Sequence, residues 1–494
     1  MEKYIIAIDQ GTTGTTVNLI NEKGICIEKV NKEFPQIFPK AAWVEHNLDD
    51  IWQTVLYGLE FVVQKSNINP KNIVAIGITN QRETVALWDK KTGKSVYNAI
   101  VWQCRRTTEY CEKLKKKGLE KTIKAKTGLM LDPYFSASKV NWVLKNVKGV
   151  RDKVKKSQLV LGTIDTYLLW KLTQGKSHKT DVSNASRTML MNIKTGSWDK
   201  ELLKIFSINE NLLPEICASN EVFGVTKNIK GLPDGIPISG IAGDQQAALF
   251  GQACFLAGEA KCTFGTGSFI LMNTGSELKK SKSGLLTTVA WQLKGKKINY
   301  ALEGGAFVCG ATIQWLRDEM NFVKESPEIE ELARTVPDTQ GVELVPAFAG
   351  LGAPYWKPEA RGIICGLTRG TKKAHIARAA LEAMALQNVD ILKAMEKDLS
   401  KSLRSLKVDG GASKNNLLMQ MQSDFLGKTI VRPKMIETTS LGAAYLAGLG
   451  VGLWKNTKAI KDIWSMDKSF KPAMPASKRK ARLELWQSNV KRSF

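Results

Sequence analysis

Histidine is nearly missing from this chain: three occur in 494 residues, His46, His178 and His375. A histidine metal cage or a Ser-His-Asp triad is hard to assemble from so few. Cysteine occurs eight times but never as a C-x-x-C pair. Most copies sit in apolar runs, so free buried thiols are expected, not a disulfide frame or a zinc site. No apolar run approaches the ~18 residues that would span a bilayer. The longest candidate, 441–453, is rich in Gly and Ala and reads as a tightly packed helix. Met1 to Asp9 lacks the long apolar core and cleavage signal of a leader, and reads as a first strand. A soluble, cytoplasmic protein is the expectation. Also missing are a Walker A loop and a full G-x-G-x-x-G, which argues against P-loop and Rossmann arrangements on local evidence.

Positive charge, by contrast, is abundant: 72 Lys and Arg against 47 Asp and Glu give a formal net charge of +25. Such a balance raises the chance of a polyanion partner. The Lys clusters at 115–117, 155–156, 279–280, 296–297 and 372–373 are scattered, however, and lack interleaved aromatics. They read as solvated faces and turns, and a nucleic-acid or membrane-surface role is not expected. The densest patch, Lys478 to Arg482, is explained by a charged final helix. With 43% apolar and 24% charged residues the chain can bury a sizeable core.

Two stretches about 250 residues apart read almost as copies. Tyr4-Ile-Ile-Ala-Ile-Asp9 runs through Gln10-Gly-Thr-Thr-Gly14 into Val17–Ile20. Ala260–Phe264 runs through Gly265-Thr-Gly267 into Ser268–Met272. Each is an apolar run, a Gly/Thr turn and a second apolar run, the pattern of a β-hairpin with a hydroxyl-rich tip. Such a tip offers N–H and hydroxyl groups to an anion, and glycine lets a phosphate approach the main chain. Two tips imply two duplicated domains gripping one phosphate-bearing ligand. Elsewhere strands alternate with helices, which predicts an α/β architecture. The restart near Gly258 places the boundary at residue 253, giving domains 1–253 and 254–494. No Pro/Ser linker lies there, so direct packing around a cleft is expected.

Local chemistry adds candidates, each with a bland rival. Asp9 ends a strand beside the first tip, where a carboxylate can hold hydrated Mg²⁺, or simply serve a turn. Asp244 opens a helix after Gly240-Ile-Ala-Gly243 and could be only an N-cap. Arg82 and Glu83, in Asn80-Gln-Arg-Glu-Thr84, form a fork suited to the hydroxyls of a polyol, or else a surface ion pair. Asp409-Gly-Gly-Ala412 suits a nucleotide against bare backbone, or is a structural turn.

Taken together, in order, these motifs resemble the FGGY carbohydrate kinases. Ala301-Leu-Glu-Gly304, Gln314-Trp315, Tyr134-Phe-Ser-Ala-Ser-Lys139 and Thr439–Ala447 extend the resemblance from Tyr4 to about Trp454. It implies two duplicated ribonuclease-H-like (actin-like ATPase) domains with an interdomain cleft, ATP and Mg²⁺ as cofactors, and a homodimer or homotetramer. Residues carried over for the acceptor are Arg82, Glu83, Trp102, Tyr134, Asp244, Gln245 and Phe269. For the nucleotide they are Thr12, Thr13, Gly14, Thr266, Gly310, Gln314, Gly411 and Asn415. Asp9 and Asp244 would hold the metal, and Asp244 would be the catalytic base. The stretch Ile100–Thr107 is similar to the branch that phosphorylates glycerol, making glycerol the expected acceptor. Xylulose, gluconate or ribulose kinases, or an actin-like assembly protein, are the alternatives.

Two departures from the family pattern stand out. Thr16 occupies a position where some members carry a phosphate-reaching arginine. The segment Lys230–Gly235 lacks the Gly-Gly-Thr-Arg loop linked in some members to inhibition by fructose 1,6-bisphosphate, so feedback by that route is not expected.

Overall fold

The computed structural model describes residues 2–494. Two sheets repeat one topology. In the first, Tyr4–Gln10 pairs antiparallel with Gly14–Asn21, which pairs antiparallel with Cys26–Glu33. On its other side Tyr4–Gln10 runs parallel to Ile73–Asn80, which runs parallel to Pro237–Gly243. The second sheet repeats this order and these directions with Ala260–Phe264, Ser268–Gly275, Ile298–Ala306, Ser405–Asp409 and Thr429–Pro433. Each gains antiparallel edge strands: Gly224–Val225 on the first, Leu286–Gln292 and Met466–Phe470 on the second. This is the duplication that the paired hairpins predict, in the ribonuclease-H-like arrangement that the family resemblance implies.

The residue patterns account for the positions. Tyr4–Ala7 is an unbroken apolar run because the strand is central and covered on both faces. Cys26–Glu33 alternates in burial and carries Lys29 and Lys32, as an outer strand of the first sheet does.

The helix after the fifth strand of each sheet, Asp244–Gly251 in the first half and Thr438–Gly450 in the second, packs against the other. Their backbones touch. A Cβ on Gly442 would lie 1.8 Å from the Ala247 carbonyl oxygen, and one on Gly251 would lie 2.0 Å from that of Thr438. Each helix also reaches the opposite sheet: Thr438–Gly450 lies on Tyr4–Gln10 and Ile73–Asn80, and Asp244–Gly251 on the second hairpin. The seam is a mixed apolar cluster that includes Ile5, Ala7, Phe250, Leu271 and Leu446.

A smaller four-stranded sheet in the first half joins Val85–Asp89 with Leu159–Thr163 and two short strands. It carries the Ser136–Asn146 helix. The final helix, Ala476–Lys491, is not charged by solvation alone. Arg482 pairs with Glu343 and Glu382 at 2.9 Å each. The Trp486 indole donates to Asp390 at 2.6 Å. Among the described residues no helix is long and apolar enough to cross a membrane. All eight cysteines are free, six of them buried.

Candidate active site

Asn80 ends a central strand, and the chain then turns sharply, with Glu83 at φ +64°. A left-handed glutamate is a strained choice, of order 1 kcal/mol or more, and such outliers gather at functional sites. The turn is held by Thr84 N donating to Arg82 O at 2.8 Å and by Ser136 Oγ donating to Glu83 O at 2.9 Å. Beside it Pro237–Gly243 ends at Gly243, where a Cβ would meet the Arg82 stem at 2.7 Å. Glycine there lets the arginine reach Asp244, the first residue of the next helix.

Arg82 and Glu83 are both buried, so they are not the surface ion pair of the rival reading. Their nearest charged atoms are 3.9 Å apart. Arg82 instead donates from Nη1 and Nη2 to both oxygens of Glu303, at 2.8 and 3.0 Å. Glu83 Oε1 accepts from Arg187 Nε at 2.6 Å, and Arg187 also reaches Glu303 at 3.1 Å. All four are buried. Burial opposes the Glu303 charge, but Arg187 and Arg82 outweigh it and hold that carboxyl at about 2. At Glu83 burial wins over Arg187 and Arg82, and the pKa is raised.

What this network leaves unengaged faces Asp244 and the aromatic residues. Arg82 Nε is 2.9 Å from Asp244 Oδ1, yet it is buried and not aligned as a hydrogen bond. Glu83 Oε2, Asp244 Oδ2 and the Tyr134 hydroxyl have no hydrogen-bond partner among the described residues. Of these atoms Arg82 Nε is the buried donor without a hydrogen-bond partner, a state that costs about 1–3 kcal/mol, so the grouping fits an incoming hydroxylated ligand. Asp244 is not the N-cap: Gly243 holds that position, and Asp244 Oδ1 accepts from Gln245 N at 2.6 Å.

Aromatic side chains stand next to these groups. Trp102 and Tyr134 meet edge to face, with ring centroids 5.5 Å apart. Tyr134 is placed by the buried Lys139 ammonium, which donates to the carbonyls of Pro133, Tyr134 and Phe135. Burial lowers the Lys139 pKa to about 8. Trp102 Nε1 donates to Thr12 Oγ1 at 3.0 Å, tying this wall to the first tip. Phe269 comes from the second hairpin. It pairs across the sheet with Gly305, whose missing side chain leaves room for the ring. Gln245 accepts from the buried Lys261 ammonium of the same hairpin.

Asp9 lies one residue before the end of the Tyr4–Gln10 strand, close to Asp244 and Glu437. Burial first, then these two carboxylates, push its pKa up to about 8, against a 3.4 Å hydrogen bond from Ser440 Oγ. A carboxyl so raised beside a second acid fits a cation, which would restore its charge. No group of three or more His, Cys, Asp or Glu with metal-holding geometry exists among the described residues. The pair therefore suits an ion that keeps water and phosphate ligands, the habit of Mg²⁺.

Both tips are tight turns. Gly11 N donates to Gly14 O, and Gly265 N to Gly267 O, each at 2.9 Å. Thr13 and Thr266 are exposed, and Thr12 is half-buried. Thr16, at the position of the missing arginine, accepts from Asn31 Nδ2 at 2.8 Å. In the second half Cys309 N and Ala311 N donate to Thr266 O, and Gly310 N to Gly265 O. This sets the start of the Gly310–Asp318 helix against the tip, with Gln314 exposed on it. Gly410, at φ +83°, packs on Phe264, so the turn bearing the exposed Gly411 joins the same region. Asn415 Oδ1 caps the next helix by accepting from Leu418 N at 2.8 Å, a local role absent from the sequence reading.

Sequence reasoning passed over Arg187, Glu303 and Lys261. Glu303 lay in a quoted motif without a role. Lys261, Phe269 and Glu303 share one face of the second sheet, as period-two alternation across its register requires. A single charged residue on an otherwise uncharged strand, Lys261 in one and Glu303 in the other, is the available signal.

The model of the FGGY carbohydrate kinases' N-terminal domain matches residues 4–251, and that of their C-terminal domain matches 260–451. The chain belongs to the FGGY family of carbohydrate kinases. Among FGGY relatives, a glycerol kinase of Bdellovibrio bacteriovorus is 60% identical over 492 residues, 100% of this chain and 99% of that one. One of Caldanaerobacter subterraneus subsp. tengcongensis is 55% identical, over 100% and 99%. The solved Plasmodium falciparum glycerol kinase with ADP superimposes with a TM-score of 0.93 at 38% identity, covering 100% and 98%. This FGGY chain thus has the actin-like ATPase fold in both halves.

Proposed function

We infer that this protein is a glycerol kinase, transferring the γ-phosphoryl group of ATP to glycerol to give sn-glycerol 3-phosphate and ADP. The observation that carries it is the grouping of Arg82, Glu83 and Asp244, with unengaged polar atoms, in a chain 60% identical end to end to a glycerol kinase. Three hydroxyls need several donors and acceptors, and Arg82 Nε, Glu83 Oε2, the Tyr134 hydroxyl and Asp244 Oδ2 are available. Trp102 and Phe269 would pack the carbon chain.

In the proposed step Asp244 accepts the proton of a terminal hydroxyl while its oxygen bonds to the γ-phosphorus. The bond from that phosphorus to the β–γ bridging oxygen breaks, and ADP leaves with its electron pair. The transition state is loose and highly charged, so alignment and charge stabilisation do most of the catalysis. Thr12, Thr13 and Thr266, with the tip N–H groups, would donate to phosphate oxygens. Gly310, Gln314, Gly411 and Asn415 would line the nucleotide side, Asn415 through its amide nitrogen, since its oxygen caps a helix. Asp9 and Asp244 would hold Mg²⁺, which when bound neutralises phosphate charge. With the division at residue 253, the first half would carry the glycerol site and the first phosphate hairpin, and the second half the second phosphate hairpin and the adenosine site.

Phosphorylation rates on glycerol, xylulose and gluconate test the substrate. A clear preference for glycerol is expected. Faster turnover of either sugar acid or ketose would move the chain to another branch.

A further inference from the structure

Arg82, Glu303, Arg187 and Glu83 form a ring of alternating charge. Three of its sides are 2.6 to 3.1 Å long, and the fourth, Arg82 to Glu83, is 3.9 Å. Three members belong to the first half. Glu303 alone comes from the second, from the Ile298–Ala306 strand, on the sheet face it shares with Phe269 and Lys261. A buried ion network is weak evidence for stability, because desolvation offsets most of the attraction. Its geometry, however, is restrictive. Both Nη1 hydrogens of Arg82 are engaged, by Glu303 and by Gln246 Oε1 at 3.2 Å, and Nη2 bonds Glu303 as well. The guanidinium is thereby turned so that its Nε edge faces Asp244. Arg187, fixed by Glu303 at one end, holds Glu83 by Oε1 and leaves Oε2 unengaged.

We propose that Glu303 is a positioning residue of the acceptor pocket: it fixes the orientation in which Arg82 and, through Arg187, Glu83 meet the polyol. The proposal rests on the glycerol-kinase reading. Without the Glu303 charge, Arg82 turns its Nη groups toward the remaining carboxylates, Asp244 and Glu83, and the hydroxyl-binding edge is lost. Thr266, Gly310, Gln314 and Gly411 on the nucleotide side make no hydrogen bond or ion pair with the ring and stay in place; Asp244, 2.9 Å from Arg82, is shared between the two sides.

The test is steady-state kinetics of full-length Glu303→Gln and Glu303→Asp beside the parent chain, with thermal shifts by glycerol and by ADP with Mg²⁺. In Glu303→Gln the KM for glycerol is expected to rise about tenfold or more, as for loss of a charged hydrogen-bond partner. The KM for ATP is expected to change by much less than that for glycerol, since Asp244 is the nucleotide-side group that adjoins the ring and the tips do not touch it. Glu303→Asp regains part of the glycerol affinity. The glycerol-induced thermal shift shrinks while the nucleotide-induced shift persists. Unchanged glycerol parameters, or equal losses for glycerol and ATP, overturn the proposal. Should Glu303→Gln not fold, Arg187→Lys, which breaks the ring from its other side, is judged by the same split. A parent chain inactive on glycerol refutes the glycerol-kinase reading itself, a result distinct from either variant's.

Discussion

Trp102 Nε1 donates to Thr12 Oγ1 across 3.0 Å, so one hydrogen bond joins the acceptor wall to the first phosphate tip. Trp102→Phe keeps a ring against Tyr134 and removes the donor. Loss of one such bond is worth about 1 kcal/mol, or roughly fivefold. Both KM values, for glycerol and for ATP, should rise by that order, because the bond serves both sides. A change in only one of them, seen in initial-rate kinetics, would separate the wall from the tip.

Asp244→Asn preserves size and removes the base. kcat should fall by about 10²–10⁴, the usual worth of general-base assistance. Glycerol binding measured by calorimetry should be largely kept, since Arg82, Glu83 and Tyr134 remain. Near-normal turnover in this variant would remove Asp244 from the chemistry.

Asp9 gives the pH dependence. Its pKa is pushed up to about 8 by burial, Asp244 and Glu437, whereas an unfolded aspartate titrates near 3.9. Between about pH 4 and 8 the folded chain therefore holds a proton the unfolded chain has lost. The stability contributed by Asp9 is full below that window and is lost as pH rises through it. In the ligand-free protein the Tm of Asp9→Asn relative to the parent should climb across the window. At neutral pH, binding of ADP with Mg²⁺ should release a proton from the parent and not from the variant, read from calorimetry in buffers of different ionisation enthalpy. A pH-independent Tm difference with equal proton release would contradict the placement of Asp9.

Gly442→Ala tests the helix crossing at the seam. Its Cβ would sit 1.8 Å from the Ala247 carbonyl oxygen, a backbone atom that cannot rotate away. Overpacking of this kind costs about 1–3 kcal/mol or more. Denaturant unfolding should show a clear loss, and a neutral result would mean the helices separate easily.

The duplication was legible because each hairpin writes its strands and its turn within some twenty residues. The apolar run from Tyr4 and the Gly-Thr-Gly at 265–267 needed no distant partner to be read. The ring around Arg82 was not legible. Arg187 lies 104 residues from Glu83, and Glu303 lies 221 from Arg82, so no local spacing connects them. Adjacent charges at 82 and 83 invited a reading as one fork. The left-handed backbone at Glu83 instead sends the two side chains to different partners. At Asn415 a local role was legible three residues away, where its Oδ1 caps the helix by accepting from Leu418 N, and this leaves its amide nitrogen for a ligand.

The central claim is that Arg82, Glu83 and Asp244 make a polyol acceptor site served by ATP. Its most direct test is coupled measurement of ADP release by the full-length chain with and without glycerol. ADP release is expected to require glycerol and to match sn-glycerol 3-phosphate mole for mole. ADP release at the same rate without glycerol, or none in its presence, would contradict it.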